Sequence, residues 1–278
     1  MVGLEFYKMS GHGNDFILVD NWEKQVGEAD MPSLTRAVCH RRYGVGADGM
    51  IFIEEGPDEV DFAWRFFNSD GSEAEMCGNG GRCAARFAYL LGIAPTEMMF
   101  QTLAGVIRAE VTPETVKIQL TPPSEAEMDC VVDVSGQTMR FCTINTGVPH
   151  AVTWVDDVDG LPVQEIGRVV RFHPHFMPAG TNADFVQVLG EDFLAIRTYE
   201  RGVEDETLAC GTGCVAAALL SALKGLVESP TRIVTRGGEE LRVHFTMHDG
   251  VFTDVFLEGP VRVICSGALG PDIMFEGV

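Results

Sequence analysis

The chain has 278 residues, of which 46% are hydrophobic and 22% are charged, and its formal net charge is −21. Its length suits two medium domains of a globular protein, and its acidity disfavours binding to nucleic acid or to anionic membrane surfaces. Since it has neither an apolar run of about 18 residues nor a signal-peptide pattern, we expect a cytoplasmic protein without membrane contact.

In the first half, apolar periodicity and turn residues predict strands over 4–9, 16–20, 50–53, 62–68, 105–111 and 116–120. A helix is predicted over 32–42. A second helix, over 84–91 and ended by Gly92, follows the turn Cys77-Gly78-Asn79-Gly80. The Pro-rich segment 121–125 marks the clearest domain boundary.

In the second half, strands are predicted over 141–146, 151–155, 185–189 and 194–199, with a helix over 166–171. The turn Cys210-Gly211-Thr212-Gly213 precedes a helix over 215–224 that is ended by Gly225. Further strands follow within 233–243, 251–258 and 261–266. We therefore predict two mixed α/β domains, residues 1–121 and 122–263, with residues 264–278 completing the first.

The two halves resemble each other. The sequence NDFILV at 14–19 is echoed by NADFVQV at 182–188, and Arg65 leading to Cys77 is echoed by Arg197 leading to Cys210. These echoes indicate a duplication in which each half wraps strands around one helix. Such halves can face each other across a pseudo-twofold axis, so we expect both cysteine turns at one cleft between the domains.

Each cysteine turn precedes a helix N-terminus, where unpaired amides favour a thiolate and bind carboxylates. Two acid–base groups on opposite faces of a carbon can remove a proton from one side and deliver one to the other. One cysteine must then start as thiolate and the other as thiol. The alternative, which is the usual one for a lone cysteine, is that both are buried structural residues.

The sequence offers no pyridoxal signature and no convincing metal cluster, so a reaction without a cofactor is the simplest interpretation. A zinc site formed by Cys77, Cys83, Cys210 and Cys214 is disfavoured, because the C-x5-C and C-x3-C spacings differ from the usual C-x2-C. A redox dithiol is disfavoured for the same reason. The remaining cysteines lie in unremarkable surroundings: Cys39, Cys130, Cys142 and Cys265.

At these turns the sequence resembles the diaminopimelate epimerases, a pyridoxal-independent family that interconverts LL- and meso-diaminopimelate in lysine and peptidoglycan biosynthesis. The resemblance runs along the chain through KMSGHGNDF (8–16), FNSDGSE (67–73), EMCGNGGRC (75–83), PH (149–150), NADF (182–185), ERG (200–202) and CGTG (210–213). It implies two pseudo-symmetric domains, each a strand-rich barrel around a central helix, with Cys77 and Cys210 as catalytic bases. It also implies a homodimer.

The resemblance also implies roles for residues around the cysteines. It places His150 and Glu200 where they tune the cysteine pKa values. It places a larger set against the amino and carboxylate groups of the substrate: Asn14, Asn68, Gly78, Asn79, Asn182, Glu200, Arg201, Gly211 and Thr212. The alternatives are ordinary turn chemistry for the asparagines and a hydrogen-bonded loop histidine for His150.

Three positions depart from the family pattern. Val148 replaces an asparagine that often contacts substrate, and Asn145 is a candidate replacement. Gly49 replaces a common glutamine, and one extra residue lies within 203–206. Two other functions stay open: a proline racemase or hydroxyproline epimerase, disfavoured because Asn79 stands where that family typically has histidine, and a non-catalytic zinc-binding or ligand-binding protein.

Overall fold

The structure, a computed structural model, describes residues 3–274 and is a strand-rich mixed α/β fold. Within these residues the α-helices are α1 (Met31–Cys39), α2 (Gly78–Leu90), α3 (Val163–Arg171) and α4 (Gly211–Leu223). The strands of the first half are β1 (Glu5–Gly11), β2 (Asn14–Asp20), β3 (Gly49–Glu54), β4 (Phe62–Asn68), β5 (Glu97–Thr102), β6 (Gly105–Val111) and β7 (Thr115–Gln119). Those of the second half are β8 (Ser124–Val134), β9 (Gln137–Asn145), β10 (Pro149–Trp154), β11 (Asn182–Gly190), β12 (Phe193–Glu200), β13 (Asp205–Thr207), β14 (Thr231–Val234), β15 (Glu240–His248), β16 (Val251–Pro260) and β17 (Arg262–Ala268).

One compact unit comprises the chain up to Ile118 together with the segment from Gly259 onward. Its strands pair in the order β17-β1-β2-β3-β4-β5-β6-β7. The pairs β2–β3 and β4–β5 are parallel, and the others are antiparallel. Parallel neighbours need a crossover connection, and α1 and α2 lie in these two crossovers.

A second compact unit comprises residues Gln119–Glu258. Its strands pair in the order β8-β9-β10-β11-β12-β14-β15-β16, while β13 forms a short hairpin with β12. The parallel pairs are β10–β11 and β12–β14, with α3 and α4 in the crossovers. Each unit therefore has the same succession of parallel and antiparallel pairings.

Helices α2 and α4 bury most of their surface among strands. From Gly213 to Ala222 every residue of α4 is buried, and the helix contacts β9, β10, β11, β12, β14 and β15. A helix that is apolar on all sides is stable only when other elements surround it. In the other unit α2 contacts β1, β2, β3 and β6 through mainly small side chains. Small residues allow the strands to approach both helices closely.

Helices α1 and α3 also pack on strands of their units. Met31, Leu34 and Val38 of α1 join a core cluster with Ile17 and Val19 of β2. Phe16, whose side chain lies on the opposite face of β2 from Ile17, is close to Gly80 of α2. Strand β2 is therefore buried from both faces, which explains its uninterrupted apolar sequence.

The predicted helices and most predicted strands are confirmed, and Gly92 and Gly225 follow the helix ends with positive φ. Strands β5, β8 and β13 were not predicted. Strand β8 begins at Ser124, inside the segment interpreted as a domain boundary. Its first six residues are exposed, and three of them are acidic. No helix within residues 3–274 is long and apolar enough to cross a bilayer.

Gly49, one of the three departures from the family pattern noted in the sequence, is tightly enclosed. It begins β3 opposite Asn68 of β4 and beside Phe16 of β2. A Cβ atom there would lie 2.6 Å from the Phe66 ring and 2.7 Å from the Phe67 carbonyl oxygen. The absence of a side chain is therefore a packing requirement of this sheet.

We predict that Gly49→Ala lowers the free energy of unfolding by about 1–3 kcal/mol, because the added methyl group overpacks the site. Thermal or urea denaturation measures the loss. Gly27→Ala is the control, since a Cβ there would make an ordinary 3.7 Å contact with Asp30. Equal stabilities of the two variants would contradict this account of Gly49.

Candidate active site

Cys77 is the N-cap residue of α2. Its backbone is extended, and its Sγ atom accepts a hydrogen bond from the Gly80 backbone N–H at 3.4 Å. The first N–H groups of a helix have no partners within the helix and carry partial positive charge. The half-buried sulfur therefore lies where a thiolate is stabilised, and Gly78 is the first helical residue beside it.

Asn14 connects Cys77 to charged groups in the same unit. Its Nδ2 atom donates to Asp48 Oδ2 at 2.6 Å, and its Oδ1 atom accepts from the Cys77 thiol at 3.9 Å. Asn79 Nδ2 lies 3.4 Å from the same Oδ1 atom, and Arg82 donates to Asn79 Oδ1 at 2.6 Å. The structure thus brings Cys77, Asn14 and Asn79 together.

Asp48 is held in turn by Arg41, whose Nη2 atom lies 2.6 Å from Asp48 Oδ1 and 2.9 Å from Asp15 Oδ1. Lys8 Nζ lies 3.1 Å from the other oxygen of Asp15. Burial acts to raise the pKa of Asp15, but hydrogen bonds from Arg41 and Lys8 lower it overall. The Arg41–Asp48 pair is largely exposed and contributes little stability. Its contact through Asp48 orients Asn14.

Asn68 takes part in a different contact. It ends β4, and its Nδ2 atom donates to Ser72 Oγ at 3.1 Å in the turn that follows. Its backbone N–H also donates to the Ser72 carbonyl oxygen at 2.8 Å. These bonds connect the end of β4 to the turn that follows, and the substrate contact of Asn68 stays a prediction.

In the other unit, Cys210 is the N-cap residue of α4 and is 7% exposed. Burial raises the pKa of its thiol well above the ordinary value, and the nearby carboxylates of Glu200 and Asp184 act in the same direction. The Gly213 amide and the Thr212 hydroxyl, whose contact with Cys210 Sγ allows either atom to be the donor, act in the opposite direction without cancelling this effect. These surroundings favour the thiol form of Cys210 over the thiolate.

A row of buried polar residues lies beside Cys210. Thr212 Oγ1 is 3.4 Å from Cys210 Sγ and 3.0 Å from His150 Nε2. His150 Nδ1 is 2.7 Å from Asp184 Oδ2, and Asp184 Oδ1 accepts from Thr198 Oγ1 at 2.7 Å. Since His150 lies in β10 and is fully buried, the interpretation of it as a loop histidine is wrong.

Asn182, Glu200 and Arg201 lie close to this row. Asn182 Oδ1 accepts from the Arg201 backbone N–H at 2.7 Å, and the Arg201 guanidinium donates to the Ala179 carbonyl at 2.9 Å. Burial raises the pKa of Glu200, and the Asp184 carboxylate adds to the effect. The predicted residues of this half thus surround the start of α4, where Gly211 is the first helical residue.

The departures from the family pattern also have defined positions. Asn145 Oδ1 accepts from the Gly147 backbone N–H at 3.0 Å, and Asn145 lines a cavity of about 310 Å³ together with Pro149 and His150. The segment with the extra residue includes the end of the turn after β12, where Glu204 has a φ of 59°, and the start of β13. Among residues 3–274 no group of three or more His, Cys, Asp or Glu side chains is arranged to hold a metal ion.

Asp48, Asp184 and Thr198 were not among the predicted site residues. Asp48 contacts Asn14, Asp184 contacts His150, and Thr198 contacts Asp184. A signal was present for Asp184, because the echo between NDF and NADF pairs it with Asp15. Polar residues in an otherwise apolar strand are rarely buried without a partner. That rule, applied to β11, points to Asp184.

Solved structures define the class of fold. A phenazine biosynthesis protein of the PhzF family from Bacillus anthracis matches with a TM-score of 0.74 at 14% identity, over 97% of this chain and 99% of that one. A probable proline racemase from Agrobacterium radiobacter K84 matches with a TM-score of 0.69 at 15% identity, over 98% and 95% of the two chains. This chain shares the mixed α/β, strand-rich fold of these proteins.

Sequence relatives are far more similar. The family profile "Diaminopimelate epimerase" matches residues 6–125 and 142–263. The diaminopimelate epimerase of Aquifex aeolicus is 48% identical over 98% of this chain and 99% of its own length, and that of Hydrogenobaculum sp. is 43% identical over 96% and 98%. The chain belongs to the diaminopimelate epimerase family, a family of isomerases, so the resemblance inferred from the sequence is confirmed.

We predict that alkylation of Cys210 by iodoacetamide keeps accelerating above about pH 9, where an ordinary thiol of pKa about 8.5 has levelled off. The physical reason is burial beside carboxylates, which leaves little thiolate at neutral pH. Mass spectrometry of the Cys210 peptide after timed labelling gives the rates, and the exposed Cys265 serves as comparator. A Cys210 plateau below pH 9 would contradict the assignment.

Proposed function

We propose that this chain interconverts LL- and meso-diaminopimelate without a cofactor, and that Cys77 and Cys210 act on opposite faces of the α-carbon. The observation that carries the proposal is that each cysteine caps a 13-residue helix buried among strands. Family membership supports the substrate. The pairing order common to the two units supports a pseudo-symmetric arrangement of barrels, which stays a prediction, as does the homodimer.

The reaction consists of two proton transfers. One cysteine thiolate takes the α-proton: the C–H bond breaks, an S–H bond forms, and the electron pair moves into the substrate carboxylate. The opposite thiol then donates its proton to the other face of the carbon, which inverts the stereocentre and leaves that sulfur as thiolate. In the reverse direction the two cysteines exchange roles.

The developing negative charge needs stabilisation, because an α-proton beside a carboxylate is very weakly acidic. We assign this role to the helix N-termini, where Gly78 and Gly211 are the first helical residues. Backbone N–H groups at these ends bind a carboxylate and stabilise the enediolate-like transition state. Glycine in these positions leaves room for the substrate beside the backbone.

The remaining predicted residues are assigned to binding and tuning. Asn14, Asn68, Asn79, Asn182, Glu200, Arg201 and Thr212 contact the amino and carboxylate groups of the substrate, while His150 and Glu200 tune the cysteines. Cys210 starts as the acid, because its pKa is raised by burial and by nearby carboxylates. Cys77, bonded to the Gly80 amide, then starts as the base.

We predict that Cys77→Ser and Cys210→Ser each lower the rate of isomer interconversion by about 10²–10⁴-fold, the usual contribution of a positioned acid or base. A serine hydroxyl is too weakly acidic to replace a thiol in either role. Proton NMR of LL- and meso-diaminopimelate in deuterated water, with purified reduced protein, follows α-proton loss and interconversion. Cys130→Ser is the matched control, since Cys130 is also buried.

Full activity in either of the first two variants would contradict the two-base assignment. Proline as a parallel substrate tests the alternative that the fold relatives suggest, a proline racemase or hydroxyproline epimerase. Exchange of proline without exchange of diaminopimelate would favour that alternative. Binding of diaminopimelate without exchange would favour a ligand-binding protein.

A further inference from the structure

Asp184 is a fully buried carboxylate to which the proposed mechanism gives no role. It lies in β11 opposite Thr198, and its two oxygens contact Thr198 Oγ1 and His150 Nδ1, each at 2.7 Å. An ionisable group in the interior is costly unless its environment compensates it. The first turn of α4 packs closely against Asp184, because a Cβ atom on Gly213 would lie 2.6 Å from Asp184 Oδ1.

The contacts of His150 define which of its nitrogens carries the proton. A carboxylate can only accept, so Nδ1 donates to Asp184. Asn182 turns its amide nitrogen toward Nε2 at 3.4 Å, because its oxygen accepts from the Arg201 backbone N–H. An NH2 group cannot accept a hydrogen bond, so Nε2 is the acceptor at this contact.

Thr212 continues the same donor-to-acceptor direction of hydrogen bonds toward Cys210. Its hydroxyl has one proton, and the nearest acceptor is His150 Nε2 at 3.0 Å. When that proton points to the imidazole, the oxygen of Thr212 presents lone pairs to Cys210, 3.4 Å away. The contact then requires Cys210 to donate its S–H proton.

We propose that Asp184 is a positioning residue that, through His150 and Thr212, holds Cys210 in its thiol form. The hydrogen bonds run in one direction, from Cys210 to Thr212, from Thr212 to His150 and from His150 to Asp184. The proposal rests on the proposed role of Cys210 as one of the two acid–base groups. It gives a role to the carboxyl group buried behind the helix start: as the acceptor at the end of the row, Asp184 sets the direction of each hydrogen bond before it.

Other groups facing the row are few among the described residues. Glu200, on β12, is the neighbouring carboxyl group that acts on both Cys210 and His150. Thr198 on β12 and Asn182 on β11 do not titrate in water. The start of α4 contributes Cys210 itself and the Gly213 amide, whose bond favours the thiolate. Replacing the Asp184 carboxylate should therefore reverse the direction of the hydrogen bonds in this row, while the Glu200 carboxyl group stays in place.

Asp184→Asn is the informative change, because it preserves shape while removing charge. The asparagine NH2 group can donate to His150 Nδ1, which places the imidazole proton on Nε2. Thr212 then accepts from His150 and donates to Cys210, which favours the thiolate. We expect iodoacetamide to alkylate Cys210 at least about tenfold faster at about pH 8 in this variant.

Three comparisons make the result specific. Alkylation of Cys77 in the same sample should be unchanged, and Asp157→Asn, which alters an exposed carboxylate of the same unit, should leave Cys210 unchanged. Thermal denaturation identifies any loss of folding. In a Thr212→Val background the hydroxyl is missing. There Asp184→Asn should accelerate the alkylation of Cys210 by no more than about threefold, which is the effect of removing the charge alone.

NMR of ¹⁵N-histidine protein provides a readout that altered packing would not mimic. The His150 ring signals, assigned by their loss in His150→Gln, should show the proton on Nδ1 in the native chain and on Nε2 in Asp184→Asn. Any of three results would overturn the proposal. Asp184→Asn could accelerate the alkylation of Cys210 equally with and without the Thr212 hydroxyl, it could leave that alkylation unchanged or slower, or it could leave the His150 tautomer unchanged. None of these measurements uses substrate, so they are independent of whether Cys210→Ser abolishes turnover.

Discussion

The burial of one helix among the strands of each unit is the constraint on which the rest of the structure depends. Helix α4 is apolar on every side, and α2 buries glycine and alanine against four strands. Such helices are stable only when strands exclude water around them. Their N-termini are only partly exposed, so the partial charges there are screened less than in water. A cysteine at the N-cap is thereby exposed to a strong local field that an ordinary surface helix would not provide.

The two cysteines experience this field with different neighbours. Cys77 accepts from the Gly80 amide and faces Asn14, whose orientation depends on Asp48 and ultimately on Arg41. Around Cys210 the nearest charged groups are instead carboxyl groups, and the thiol is more deeply buried. In the proposed mechanism this difference makes Cys77 the base and Cys210 the acid at the start of the reaction. An epimerase with two bases needs such a difference, because two thiolates or two thiols cannot start the reaction.

Much of the fold could be predicted because its strands and helices have clear periodicity. Strands β4 and β6 agree with their predicted limits, and the two helices after the cysteine turns end at the predicted glycines. Strand β8 could not be recognised in the same way, since its first part is acidic and exposed and follows two prolines. Its hydrogen bonds to β9 stabilise it, and those depend on a partner that local sequence does not identify. The short β13 similarly forms only as the return strand of a hairpin with β12.

The sequence by itself determined the family, the two cysteines and most of the polar residues around them, because these lie in short motifs whose chemistry depends on residue type and spacing. Only the tertiary structure decided which of these residues touch one another. His150, Asp184 and Thr198 are far apart along the chain, and the parallel register of β10 with β11 and the antiparallel register of β11 with β12 bring them to one face. The direction of each hydrogen bond follows from which atoms face each other across that register. A linear sequence contains the donors and acceptors, but strand pairing decides their partners.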